Sequence, residues 1–164
     1  MNDEHTKRGD QELEDPFDKQ AESASHLGQL QFIVEYDLHR HILAVRLVRA
    51  INLSLPSTYD EPAAKPCNPY AIVELLPDYR HQLQSNVQRK TSHPRFDETF
   101  EFDVEIKNLQ QQFLWITVLS FETFSKHDVI GQVVVPLSDL NLSKKSVLLK
   151  GLEPSVKVNC FFHF

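Results

Sequence analysis

Ser120-Phe121-Glu122-Thr123-Phe124-Ser125-Lys126-His127-Asp128-Val129-Ile130-Gly131 opens as a polar loop between two apolar runs. Phe113–Leu119 precedes it, and Val129–Val135 continues from it until Pro136 stops the run. Short runs rich in β-branched and aromatic residues, bounded by turn residues, read as strands. The stretch is therefore a strand–loop–strand unit. Its loop carries two carboxylates (Glu122, Asp128), one lysine (Lys126) and a large apolar residue at the tip (Phe124).

The same punctuation recurs outward from this unit. Leu30, Phe32, Val34 and Tyr36 share one face, with Gln31 and Glu35 on the other. Ile42–Ala50 repeats the pattern, with Leu43, Val45 and Leu47 inward and Arg46 and Arg49 outward. A period of two marks a half-buried strand, and the short Asp37–His41 link predicts a hairpin. Asn52–Asn68, rich in Pro, Ser and Ala, reads as a long loop. Tyr70–Leu76 is a third strand, ended by Pro77-Asp78. A fourth lies within Gln82–Gln88, a fifth at Thr99–Val104 and an eighth at Ser146–Lys150. Phe100 and Phe102 alternate with Glu101 and Asp103 and read as core. Phe113, Trp115 and Val118 read as core or sheet-face packing, and Phe96 after Pro94 is expected to plug the sandwich edge. A helical turn is predicted at Leu137–Leu142, with Ser138-Asp139 as its cap. Eight short strands with turn punctuation give an all-β fold, an eight-stranded antiparallel β-sandwich.

Charge is uneven along the chain. Residues 1–26 hold eight acids and three bases, a net of −5, while the whole chain is −6. Residues 27–164 thus carry only −1, too little positive charge for a nucleic-acid binder. Residues 1–26 offer only Leu13 and Phe17 as sizeable apolar groups besides Met1, so they read as a disordered acidic linker. A short binding motif around Leu13 and Phe17 is the alternative. The folded module spans 27–155, and 156–164 is an apolar tail. No run of about 20 apolar residues spans a bilayer, and no signal-peptide pattern stands at the N-terminus. Two cysteines, Cys67 and Cys160, do not make a disulfide framework and suit a reduced setting. With four glycines there is no phosphate-cradling loop, and no nucleophile elbow or triad spacing stands out, so the chain reads as non-enzymatic. The eight histidines lack zinc-site spacing, and His39 and His41 share a turn.

Several separated segments resemble one family. Leu27-Gly28-Gln29-Leu30-Gln31-Phe32 with Tyr36-Asp37 looks like its first strand. Asn68-Pro69-Tyr70 and Leu75-Leu76-Pro77-Asp78 resemble its third strand, and Arg89–Glu98 the entry to its fifth. Phe124–Gly131 matches it best. Together these identify residues 27–153 as similar to a C2 domain of the synaptotagmin and synaptotagmin-like proteins. The pattern is that of the first C2 domain of a tandem protein, in a member with a degraded calcium site. The resemblance implies a sandwich with three loops at one end, whose aspartates hold calcium that bridges to anionic lipid. It also implies a place in vesicle transport or exocytosis, cytoplasmic and peripheral to a vesicle or plasma membrane.

Carried over residue by residue, the metal cage is depleted. Asn68 and Ser120 stand where the family has aspartates, and Glu122 is one methylene longer than the expected aspartate. Ser125 and Asp128 fit the pattern, while the long loop leaves Asp60 or Glu61 as a loose counterpart for the remaining ligand. Calcium affinity follows the number of carboxylates, so the metal site (Asp60, Asn68, Glu122, Ser125, Asp128) is expected to be vestigial and no cofactor is expected. The membrane or partner contact is expected at Phe124 and Lys126, with a thin basic face of Arg80, Arg89 and Lys90. Lys144, Lys145 and Lys150 are candidates to extend it. The expected function is calcium-independent binding of anionic phospholipid membranes, of trafficking or SNARE-type proteins, or of both. A calcium-dependent phospholipid sensor and a lipid-independent scaffold stay open as alternatives. The tail, with Cys160, Phe161, Phe162 and Phe164, departs from the family pattern. It reads as a docked or disordered end, with acylation of Cys160 or oligomerisation as alternatives.

Overall fold

The computed structural model describes residues 26–55, 67–78 and 82–156. All eight expected strands are there: β1 (Gln29–Asp37), β2 (Ile42–Ile51), β3 (Pro69–Leu76), β4 (Gln82–Gln84), β5 (Arg95–Asp103), β6 (Phe113–Ser120), β7 (Asp128–Pro136) and β8 (Ser146–Gly151). They form two four-stranded sheets, ordered β5-β2-β1-β8 and β4-β3-β6-β7. Every pairing is antiparallel. The acidic segment before His26, Asp60 and Glu61, Arg80, and the tail from Lys157 onward, Cys160 included, lie outside the described residues.

Alternation places one face of each sheet in the core. Leu30, Phe32, Val34, Leu43, Val45 and Leu47 are fully buried, facing Ala71, Val73, Leu114, Ile116 and Val118 across the sandwich. Phe96, Phe100 and Phe102 are buried as expected. Phe113 and Trp115 lie on the outer face of β6, because Leu114 and Ile116 take the inward positions. The β1–β2 hairpin turns on Asp37, whose Oδ1 accepts from the backbone N–H of His39 at 3.0 Å and of Arg40 at 3.1 Å. These donors, Arg40 first, hold the Asp37 carboxyl below its ordinary range.

Three details differ from expectation. β5 begins at Arg95, four residues before Thr99, because pairing resumes at Arg49↔Arg95 beyond an irregularity after Leu47. Asp97 takes φ 48° there, so the extra residues form part of a bulged strand. The turn after β7 is a three-residue 3-10 helix, Leu137–Asp139, with Pro136 at the cap position and no side-chain cap. Leu137 N–H already donates to Gln112 O at 3.0 Å, so Ser138 and Asp139 have no capping task there. A one-turn helix, α1 (Ile106–Leu109), links β5 to β6 and buries Leu109. Four residues are too few to display a helical period.

The chain order brings three connections to one end of the sandwich. They are the segment between β2 and β3, residues 85–94 between β4 and β5, and residues 121–127 between β6 and β7. Cross-links hold them together: Leu53 N–H donates to Ser92 O at 3.0 Å, and Thr91 N–H to Cys67 O at 3.1 Å.

Candidate loop-end binding site

β3 starts beside the end of β6, with Pro69 paired to Ser120. Asn68 therefore sits at the junction of all three loops, and every one of its polar groups is used. Its N–H donates to Ser120 Oγ at 3.0 Å, and its carbonyl accepts from Phe121 N–H at 2.8 Å. Its side-chain Oδ1 accepts from Lys90 N–H at 3.0 Å, and its Nδ2 donates to Phe121 O at 3.3 Å. Ser120 is fully buried. The two positions where the resemblance implies aspartates form a hydrogen-bonded clasp between the loops.

A second layer closes the neck of the 121–127 loop. The Phe121 and His127 rings lie 4.7 Å apart, tilted by 59°. His127 meets Tyr70 edge-on at 5.4 Å, and its Nδ1 lies 2.5 Å from the Tyr70 hydroxyl. Burial pushes the Tyr70 phenol up, so its hydroxyl stays protonated in this contact. On the other side the Arg89 guanidinium carbon lies 5.8 Å from the Phe121 ring centre, within cation–π range. Closing the neck pushes the tip outward. Thr123 to Lys126 are exposed, and Phe124 is 100% exposed.

The expected site residues divide accordingly. Phe124, Lys126, Arg89 and Lys90 gather at the loop end, where Arg89 and Lys90 belong to the 85–94 loop. β4 covers only Gln82–Gln84, and Arg89 and Lys90 lie past its end. Arg80 and Asp60 lie outside the described residues. Lys145 sits apart, 3.8 Å from Glu35 on the β1–β8 side. Among the candidate metal ligands, Asn68 Oδ1 and Ser120 Oγ are committed to the clasp, and Ser125 Oγ turns back toward the Lys126 carbonyl at 3.5 Å. Among the described residues no group of three His, Cys, Asp or Glu side chains converges to hold an ion. The described donors do not fit a calcium cage, which needs six to eight free oxygens. The sequence pattern did not single out Tyr70, Phe121 and His127 as site residues. The only signal for them was an aromatic ring at each end of one loop.

A family profile described as "C2 domain" matches residues 41–152. The chain belongs to the C2 domain family. Among curated proteins this C2 domain is 34% identical to synaptotagmin-6 of Mus musculus over 144 residues, covering 85% of this chain and 27% of that protein. It is 37% identical to synaptotagmin-1 of Aplysia californica over 136 residues, covering 80% of this chain and 30% of that protein. The chain thus spans less than a third of these relatives. Among solved structures it is similar to a RIM C2 domain from Drosophila, at TM-score 0.69 and 30% identity, over 77% of this chain and 98% of that one. The C2 sandwich of synaptotagmin type, with its three loops at one end, is therefore the frame in which the clasp and the exposed tip stand.

Proposed function

We propose that this C2 domain docks on anionic phospholipid membranes without calcium, as a peripheral cytoplasmic module of vesicle transport or exocytosis. The clasp carries this reading. In a calcium-dependent domain, carboxylates repel until the cation joins the loops. Here Asn68 ties Ser120, Phe121 and Lys90 with neutral hydrogen bonds, so the loops are assembled beforehand. The tip then presents one phenyl ring with Lys126 beside it, a pairing suited to the boundary between acyl chains and headgroups. Among the described residues no helix is long and apolar enough to cross a membrane, so contact by this part of the chain is superficial. The module binds rather than catalyses, and a trafficking protein is the other ligand class the family commonly takes.

Co-sedimentation with vesicles of phosphatidylcholine and phosphatidylserine, in calcium and in chelator, tests the reading. Equal binding in both is expected. Burying a phenyl side chain is worth about 1.5–3 kcal/mol, so Phe124→Ala is expected to weaken binding about tenfold or more. Binding confined to calcium would overturn calcium independence. No binding in either condition would overturn the lipid reading and favour a protein partner.

A further inference from the structure

The end of the sandwich opposite the Phe124 tip carries features that lipid docking leaves unused. There the β1–β2 turn meets the end of β5. Val104 N–H donates to His41 O at 3.1 Å, and the Tyr36 hydroxyl donates to Val104 O at 2.7 Å. Two cavities adjoin here, sharing Asp103, Val104, Glu105 and Lys107 in their walls. The more enclosed one, about 240 Å³, lies between the ends of β3 and β5 and is lined also by Asp78 and Gln112. The other opens outward beside Arg40 and Ile106. The two cations of these walls already face carboxylates. Lys107 Nζ lies 3.0 Å from Glu105, and the Arg40 guanidinium lies 3.7 Å from Glu101. Asp103 has no cation beside it among the described residues. Gln112 adds an acceptor, since its Oε1 is buried and has no hydrogen-bond partner among the described residues. A buried acceptor left unpaired is costly, and an N–H from a ligand removes that cost. Leu38, Ile106 and Phe113 stand exposed around the same end. Apolar side chains exposed together beside polar ones mark an interaction surface.

We propose that this end docks a partner protein through one arginine flanked by apolar side chains. A guanidinium has five N–H donors and no acceptor. It therefore complements the Asp103 carboxylate and the Gln112 Oε1, which both accept. An exposed ion pair contributes little by itself. The apolar flanks, set against Leu38 and Ile106, supply the rest of the contact. The enclosed cavity is smaller than the about 300 Å³ at which small-molecule pockets begin, so it suits a single side chain. Carboxylates at its mouth repel phosphate, which disfavours a membrane or a nucleic acid at this end. The site faces away from the Phe124 tip, so the inference does not depend on lipid docking.

Nuclear magnetic resonance titration of the isotope-labelled full chain tests the proposal. The probe is a short peptide, blocked at both ends, with one arginine between two leucines. Shifts are expected at the amides of Val104, Glu105, Lys107 and Asn108 and in the Gln112 side chain. The citrulline analogue, equal in shape and uncharged, is expected to bind about tenfold more weakly. Asp103→Asn is expected to weaken the arginine peptide by the same factor. Asp103 is exposed, so this variant keeps the fold, and Ile106→Ser gives a second reading through the apolar contact. Glu153→Gln, an equal change of charge away from this end, is expected to leave binding unchanged. Equal loss in Glu153→Gln and Asp103→Asn would reduce the interaction to net charge and overturn the site. Shifts confined to residues 121–128, or no shifts at about millimolar peptide, would overturn it as well. If the unaltered chain self-associates and Asp103→Asn abolishes that, the occupant is the basic loop end of a second copy, and the partner-protein inference falls.

Discussion

Asn68 holds three loops with one side chain and two backbone groups. Its substitution tests whether the clasp is structural. Asn68→Ala removes the acceptor for Lys90 N–H and the donor to Phe121 O. Losing partners of half-buried polar groups costs about 1–3 kcal/mol, so a loss of that size is expected in urea unfolding. Asn68→Asp keeps the oxygen that accepts from Lys90 but places a carboxylate opposite the Phe121 carbonyl, 3.3 Å away in the present structure. It is expected to be destabilising in the absence of calcium. A gain of stability on adding calcium to Asn68→Asp would show that the surrounding donors can still complete a cage. Asn68 and Ser120 were singled out in the sequence because the resemblance implies aspartates there. What the two residues do was not legible, because the bond between them joins residues 52 apart in the chain.

The β7 strand and the segment that crosses it depend on one glycine. A Cβ built on Gly131 would lie 2.9 Å from both Glu153 O and Leu152 Cβ. Backbone cannot give way as a flexible side chain can, so the crossing segment must shift. Forcing extra atoms into a closed contact costs about 1–3 kcal/mol, and Gly131→Ala is expected to lower stability by that amount. Faster amide hydrogen exchange at Leu152 and Glu153 is the measurement that locates the damage, since their N–H groups donate to Gly28 O and Gln132 O. Unchanged exchange there would mean the segment is held by something other than this contact. The glycine was legible as part of the loop motif. Its reason was not, because Leu152 and Glu153 approach it from the far end of the domain.

The whole molecule balances a small apolar contact against a weak field. The 85–94 and 121–128 segments hold Arg89, Lys90 and Lys126 against Glu122 and Asp128. Each cation near an anionic leaflet contributes about 1 kcal/mol, and the two carboxylates oppose it. Vesicle binding is therefore expected to fall only about tenfold from low to high salt, leaving a residue of binding that Phe124 supports. A steeper fall, measured by co-sedimentation across a salt series, would place the binding energy on a larger basic surface than these loops provide.

Strand existence, inward faces and the two-sheet class were determined by local pattern. Residues such as Leu30, Phe32 and Val34 declare their face by a period of two, whatever they pair with. The tip aromatic, Phe124, was likewise plain from a single position. Only the tertiary structure decided that Arg89 lies over Phe121, that Tyr70 and His127 close the loop neck, and that Asn68 ties Ser120 to Lys90. These contacts join residues brought together by strand register and by a crossover between sheets. A local pattern reports which way a side chain faces, and it carries no information on which distant residue meets it there.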